Sequence, residues 1–183
     1  MTRLSISAMI CLVALSLNTG CDAMLDAALS KSEAMAEKEI AKENDRFVDA
    51  ALKGGTEDGK IAVATSEFFA NTQKYTLWSG NASDFKSLAD KCIAAGATAA
   101  YALPSKEDGL CDSFAFALPA DKSARTKVFD TYNQFWKEMI KVPAVGANAT
   151  EDDQEAADVA QEELDMYLAK DVGQKYIFFA HDD

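Results

Sequence analysis

Histidine is almost missing from this chain, with 1 in 183 residues. Proton relays through imidazole, and metal centres built from several imidazoles, have almost no material here. The lone residue stands in His181-Asp182-Asp183 and reads as a solvated tail, a poor place to orient a base. Proline (3) and glycine (9) are too few for a collagen-like or Pro-rich disordered chain. Positive charge is scarce as well: 18 basic residues face 30 acidic ones, for a formal net charge of −12. Nucleic-acid binding needs clustered Lys and Arg, so no nucleic-acid partner is expected. No C-x-x-C, HExxH, dinucleotide or EF-hand pattern occurs, and no cofactor is expected. Gly54-x-x-x-x-Gly59-Lys60 approaches a phosphate-binding loop, but Ile61 stands where Ser or Thr must hold the metal. Glu57 and Asp58 inside it repel phosphate, so it reads as a flexible linker. What remains is a chain 49% hydrophobic, enough for one core or two small ones.

The longest largely apolar run, Leu4 to Leu17, is shorter than the roughly 20 residues that span a hydrocarbon core. With Arg3 before it and small residues after it, it fits a secretory signal over residues 1–20. The segment Leu17-Asn18-Thr19-Gly20-Cys21 resembles a bacterial lipobox through Gly20 and Cys21, with Asn18 where an aliphatic residue is usual. The resemblance covers the signal alone. It implies lipidation of Cys21, an anchor in the membrane, and a place at the cell envelope on its periplasmic face. The alternative is a cut near Gly20 or Ala23 that releases an unlipidated, secreted protein. Of the four cysteines, Cys11 leaves with the signal. Lipidation of Cys21 then leaves Cys92 and Cys111 as an even pair, expected to form a disulfide in an oxidising compartment. Topology works against that pair, because a strand of ~17–23 Å separates the two positions. Asn81-Ala82-Ser83 and Asn148-Ala149-Thr150 fit the N-glycosylation pattern and matter only for a eukaryotic source.

Residues 21–60 read as a helical spacer with a Gly-rich linker, and residues 61–183 as an α+β domain. Residues 22–53 hold Ala, Glu and Lys without Pro or Gly, which favours helix. Residues 61–72 make a second, shorter helical candidate. Tyr75–Trp78 reads as a strand. Asn81 or Ser83 caps a helix carrying Phe85, Leu88, Ala89, Cys92 and Ile93, with Gly96 to end it. Ala100–Pro104 and Ala115–Pro119 read as a hairpin around Gly109. Asp121 caps a helix with Val128, Tyr132, Phe135, Trp136, Met139 and Ile140 inward. Thr150 and Asp153 open another as a capping box, with Ala156, Val159, Ala160, Leu164, Tyr167 and Leu168 inward. Lys175–Ala180 is the last strand. This is the ferredoxin-like βαββαβ order of an antiparallel sheet, with an added helix and a preceding N-terminal helical segment. The last strand is apolar on both faces, so the N-terminal helix or a second copy is expected to cover the second face.

The sharpest local feature is an acidic run: Glu151, Asp152, Asp153, Glu155, Asp158, Glu162, Glu163 and Asp165, with no base among them. It suits docking of a basic protein partner, and equally a solvated helix face whose early acids favour the dipole. Trp78, Tyr101, Phe114, Phe116, Tyr176 and Phe178 suit either ligand stacking or a core. The expectation is an exported, lipid-anchored, non-catalytic domain binding a protein partner or small ligand. The alternatives are a carboxylate-dependent envelope hydrolase, or a structural component that forms homo-oligomers through the second sheet face.

Overall fold

A computed structural model describes residues 22–146 and 149–180, with side chains from Leu29 onward. The expected signal over residues 1–20, with Cys11, and Cys21, Asn148 and His181 lie outside the described residues. The chain divides into two compact units at Ala36–Glu37, and the whole sheet lies in the unit from Glu37. The elements are α1 (Asp22–Leu52), β1 (Val63–Ala64), α2 (Thr65–Ala70), β2 (Thr76–Leu77), α3 (Ala82–Ala95), β3 (Ala99–Pro104), β4 (Leu110–Ala117), α4 (Lys122–Met139), α5 (Glu151–Tyr167) and β5 (Tyr176–Ala180). The fold is α+β.

The helix ends are written in short polar side chains. Asn81 accepts from the Ser83 N–H at the start of α3, and Gly96, left-handed at φ 118°, closes it. Asp121 accepts from the Ala124 N–H to open α4. Thr150 and Asp153 form the expected capping box of α5. The shorter helical candidate is different: Val63–Ala64 pairs antiparallel with β3 before α2 begins at Thr65.

Strand β4 holds the sheet together. Along one edge it forms the expected antiparallel hairpin with β3, and β1 lies beyond β3. Its other edge is shared. β2 runs parallel to it at Leu110–Cys111, and β5 runs antiparallel to it along Ser113–Ala117. In the ferredoxin-like order the last strand pairs with the first, whereas here β5 pairs with β4. The reason is the shortness of β2. Its last rung is the Trp78 N–H on the Cys111 carbonyl, after which Gly80, at φ 83°, turns the chain toward α3. The rest of that edge is left for β5.

Alternation then sets two faces. Phe114, Phe116, Ile177 and Phe179 face α2, α3 and α4 in the main core, with Leu88, Cys92, Val128, Tyr132 and Trp136. Phe114 is the hub: its ring centre lies 5.1 Å from Phe85, 5.5 Å from Phe179, 6.0 Å from Phe68 and 6.2 Å from Phe69. Such pairs contribute about 0.5–1.5 kcal/mol each beyond area burial. On the second face Val48 and Ala51 of α1 pack on Leu103 and Ala115, flanked by Phe47, Tyr101, Tyr176 and Phe178. Residues 47–51 of the expected spacer therefore belong to the packed unit, because their apolar side of α1 covers the second face.

The hairpin turn is the most constrained backbone. Ser105 and Asp108 side chains accept from the Glu107 and Leu110 N–H groups, and Gly109 sits at φ 74°. A Cβ on Gly109 would run into the carbonyl of Lys74 just before β2. Gly109→Ala should therefore lower the unfolding free energy by roughly 2–4 kcal/mol through left-handed strain plus this clash, read from urea unfolding midpoints at unchanged slope.

Candidate functional site: the acidic face of α5

Helix α5 touches the rest of the molecule along a narrow stripe. Within it only Ala157 and Leu164 are buried. The stripe extends through half-buried Ala160 and Tyr167, and Tyr167 stacks on Trp136 at 4.1 Å. Two expectations shift accordingly. Ala157 points inward in place of Ala156, and Val159 is 59% exposed. The helix meets its neighbour on one side only, so the apolar spacing serves a narrower seam than a core helix needs.

All eight acids of the run are exposed. Asp153 is committed to the cap: its carboxylate accepts from the Thr150 N–H at 2.9 Å and the Thr150 hydroxyl at 2.7 Å. Those bonds hold its pKa below the ordinary carboxylate value, so the cap is intact above that range and is lost as pH falls through the lowered pKa. Asp158 and Asp165 each accept from a glutamine one turn earlier, Gln154 and Gln161, at 2.8 Å. Among the described residues no Lys or Arg forms an ion pair with any of the eight. Helical neighbours are instead acid on acid: Glu151 with Glu155, Asp158 with Glu162, Glu162 with Asp165. Like charges at this spacing destabilise a helix by about 0.2–0.5 kcal/mol each. The dipole favours Glu151 and Asp152 in the first turn but opposes Asp165 in the last, where no base stands. Among these charges Val159 and Met166 are exposed, Met166 at 76%. Glu155, Val159, Glu162 and Met166 recur at i, i+4, i+7 and i+11, one outward stripe of mixed charge and apolar surface.

The other candidates are separated by the fold. Trp78 is exposed, Phe114 and Phe116 lie in the main core, and Tyr101, Tyr176 and Phe178 flank the contact beneath α1, so the six aromatics form no common platform. Lys60 of the Gly-rich segment is tied to Asp112 at 2.8 Å, and the Lys106 ammonium binds the Gly54 carbonyl, which makes the segment a pinned turn. An open groove of about 390 Å³ between α3 and α4 is lined by Lys91, Asp130, Thr131, Gln134, Phe135 and Glu138. Its two acids are eight residues apart on α4, about 12 Å by helical rise, wider than the pair separations of glycoside hydrolysis. No cluster of three metal-ligating side chains occurs among the described residues.

Cys92 and Cys111, expected as a bridge, are free and buried. Cys92 lies in the last turns of α3, whose end leads to Thr98 on the Ala117 carbonyl, while Cys111 sits near the opposite end of β4. Those ends of β4 are roughly 20 Å apart, and the four residues by which Cys92 precedes Gly96 close only about 6 Å of that, against the 4.4–6.8 Å between α-carbons that a disulfide requires. Burial pushes each thiol up to about 12.

Two carboxylates that no local pattern marks also do specific work. Asp45 and Asp49 of α1 bind Lys175 and Tyr176, some 130 positions away. The Lys175 ammonium beside Asp49 holds that carboxyl below its ordinary value. Burial and then Asp49 push the Tyr176 phenol up to about 12.

Comparison with protein-family models, with curated proteins and with solved structures finds no match to this chain.

Both core thiols should resist iodoacetamide at neutral pH in the folded protein and react fully in denaturant without prior reduction, as read by peptide mass mapping. A Cys92–Cys111 peptide that is released only by reduction would contradict this arrangement.

Proposed function

We propose that this chain is an exported, lipid-anchored, non-catalytic domain that docks a basic protein partner at the cell envelope through the outward face of α5. One observation carries the docking: the acids of α5 lie beside one another without basic partners among the described residues, an arrangement that costs helix stability. A bound basic surface removes that cost and gains contact with Val159 and Met166. The anchor rests on Leu17-Asn18-Thr19-Gly20-Cys21 alone. The β3–β4 hairpin and the parallel β2–β4 pair support reading the sheet as a ferredoxin-like order with its last strand moved.

Two measurements test the proposal. The natively produced protein should show an intact mass that begins at Cys21 and carries a diacylglycerol. A bare N-terminus after Gly20 or Ala23 removes the anchor. Purified protein should also retain basic proteins from its native envelope extract. The combined Glu155→Gln, Asp158→Asn, Glu162→Gln, Glu163→Gln and Asp165→Asn variant should lose that retention by roughly 10-fold or more, and about 0.5 M salt should weaken the wild type similarly. Retention unchanged by both would sink the docking role. Asp153 is left in place so that the cap, and with it the helix, is preserved.

A further inference from the structure

We infer that residues 37–52 of α1 are a releasable cover over the second face of the sheet, latched by the carboxylates of Asp45 and Asp49 onto Lys175 and Tyr176 at the entry to β5. The latch is compact. Asp45 accepts from the Lys175 N–H at 2.9 Å and the Tyr176 N–H at 3.2 Å. Asp49, one turn later, accepts from the Lys175 ammonium at 2.6 Å and the Tyr176 hydroxyl at 3.0 Å. A third tie joins Glu37 to Lys170 at 2.6 Å. These three ties are ionic or charge-assisted and lie toward β5; at the end of the helix the Ala62 N–H also donates to the Ala51 carbonyl at 3.2 Å.

The apolar grip beneath them is small. Among the described residues, Val48 and Ala51 are the only buried side chains of α1, with Phe47 set edge-on to Phe178 at 5.6 Å. Ile40 and Leu52 face solvent. The main core on the opposite face is far larger, packs β3, β4 and β5 against α2, α3 and α4, and includes no residue of α1. β5 in particular is held by five backbone pairs with β4, none of which involves α1. After Leu52 the chain passes through Gly54 and Gly55, both at positive φ, into the turn that Lys106 pins at the Gly54 carbonyl, so this end stays attached while the helix before it lifts. A low-cost opening therefore lifts the cover and leaves the sheet intact, in the manner of a sub-global unfolding unit. It uncovers Tyr101, Leu103, Ala115, Tyr176 and Phe178 as one apolar strip. Lys53 also acts on Asp49, and Tyr101 on Tyr176, through charge.

Amide hydrogen exchange of the full chain at neutral pH tests this, with residues 40–52 compared against 99–117. The Asp45→Asn/Asp49→Asn variant should exchange at least 10-fold faster in residues 40–52, with protection of residues 99–117 unchanged. Lys175→Met, which leaves α1 untouched, should give an intermediate acceleration of roughly 3-fold. Equal loss of protection in both regions would show one cooperative unit and overturn the cover. Unchanged exchange in residues 40–52 in both variants would overturn the latch.

Discussion

Strand β4 is bonded to three other strands and is apolar on both faces, and the molecule is arranged around covering it. Phe114 and Phe116 need a thick aromatic layer, which α2, α3 and α4 supply. Ala115, between them, needs only a thin one. Its small side chain lets α1 approach closely enough for Val48 and Ala51 to bury completely, with Leu103 filling the space on β3. The unequal faces of one strand thus dictate unequal covers: several helices packed deeply on one side, and one helix resting lightly on the other.

Most acidic residues that matter to the fold have specific partners. Asp112 holds Lys60 across the sheet, and Asp171 binds Arg125 through two guanidinium bonds of 3.1 and 2.5 Å. The Arg125 guanidinium keeps the Asp171 carboxyl below its ordinary value and fixes the return loop that delivers the chain to β5. Asp45 and Asp49 tie α1 to that same strand. Against this background the acids of α5 stand apart, because among the described residues only Asp153 of them forms a structural contact beyond glutamines of its own helix.

The legibility of each feature in the sequence depends on the range of the interaction behind it. Caps act over three residues, so Asn81, Asp121 and Thr150–Asp153 mark the starts of α3, α4 and α5 directly. The hairpin is equally local, with Pro104 and Gly109 at its turn. The last strand shows two apolar faces, and that alone requires a second cover, which α1 provides. Other features need distant partners. β1 is two residues long and is defined only by the pairing of Val63 and Ala64 with β3. The exchange of β5 from β2 to β4 depends on where β2 stops. The outward turn of Val159 depends on α5 being packed along one side only, which periodicity does not encode. Asp45 and Asp49 look like ordinary acids of a solvated helix until the fold returns Lys175 and Tyr176 to them. The acidic face itself is fully legible as charge, yet its lack of basic partners among the described residues is a three-dimensional fact.

The same balance explains why α5 carries so complete a start signal. Its buried contact is Ala157, Leu164 and the Tyr167–Trp136 stack, little for a helix of 17 residues. Its interior repels itself, and its last turn opposes the dipole. A helix so loaded needs its first turn fixed, and the reciprocal bonds of Thr150 and Asp153 fix it. The repelling charges remain exposed to solvent on the side away from Trp136. The capping box and the aromatic stack thus fix the two ends of the helix, with the acidic face between them.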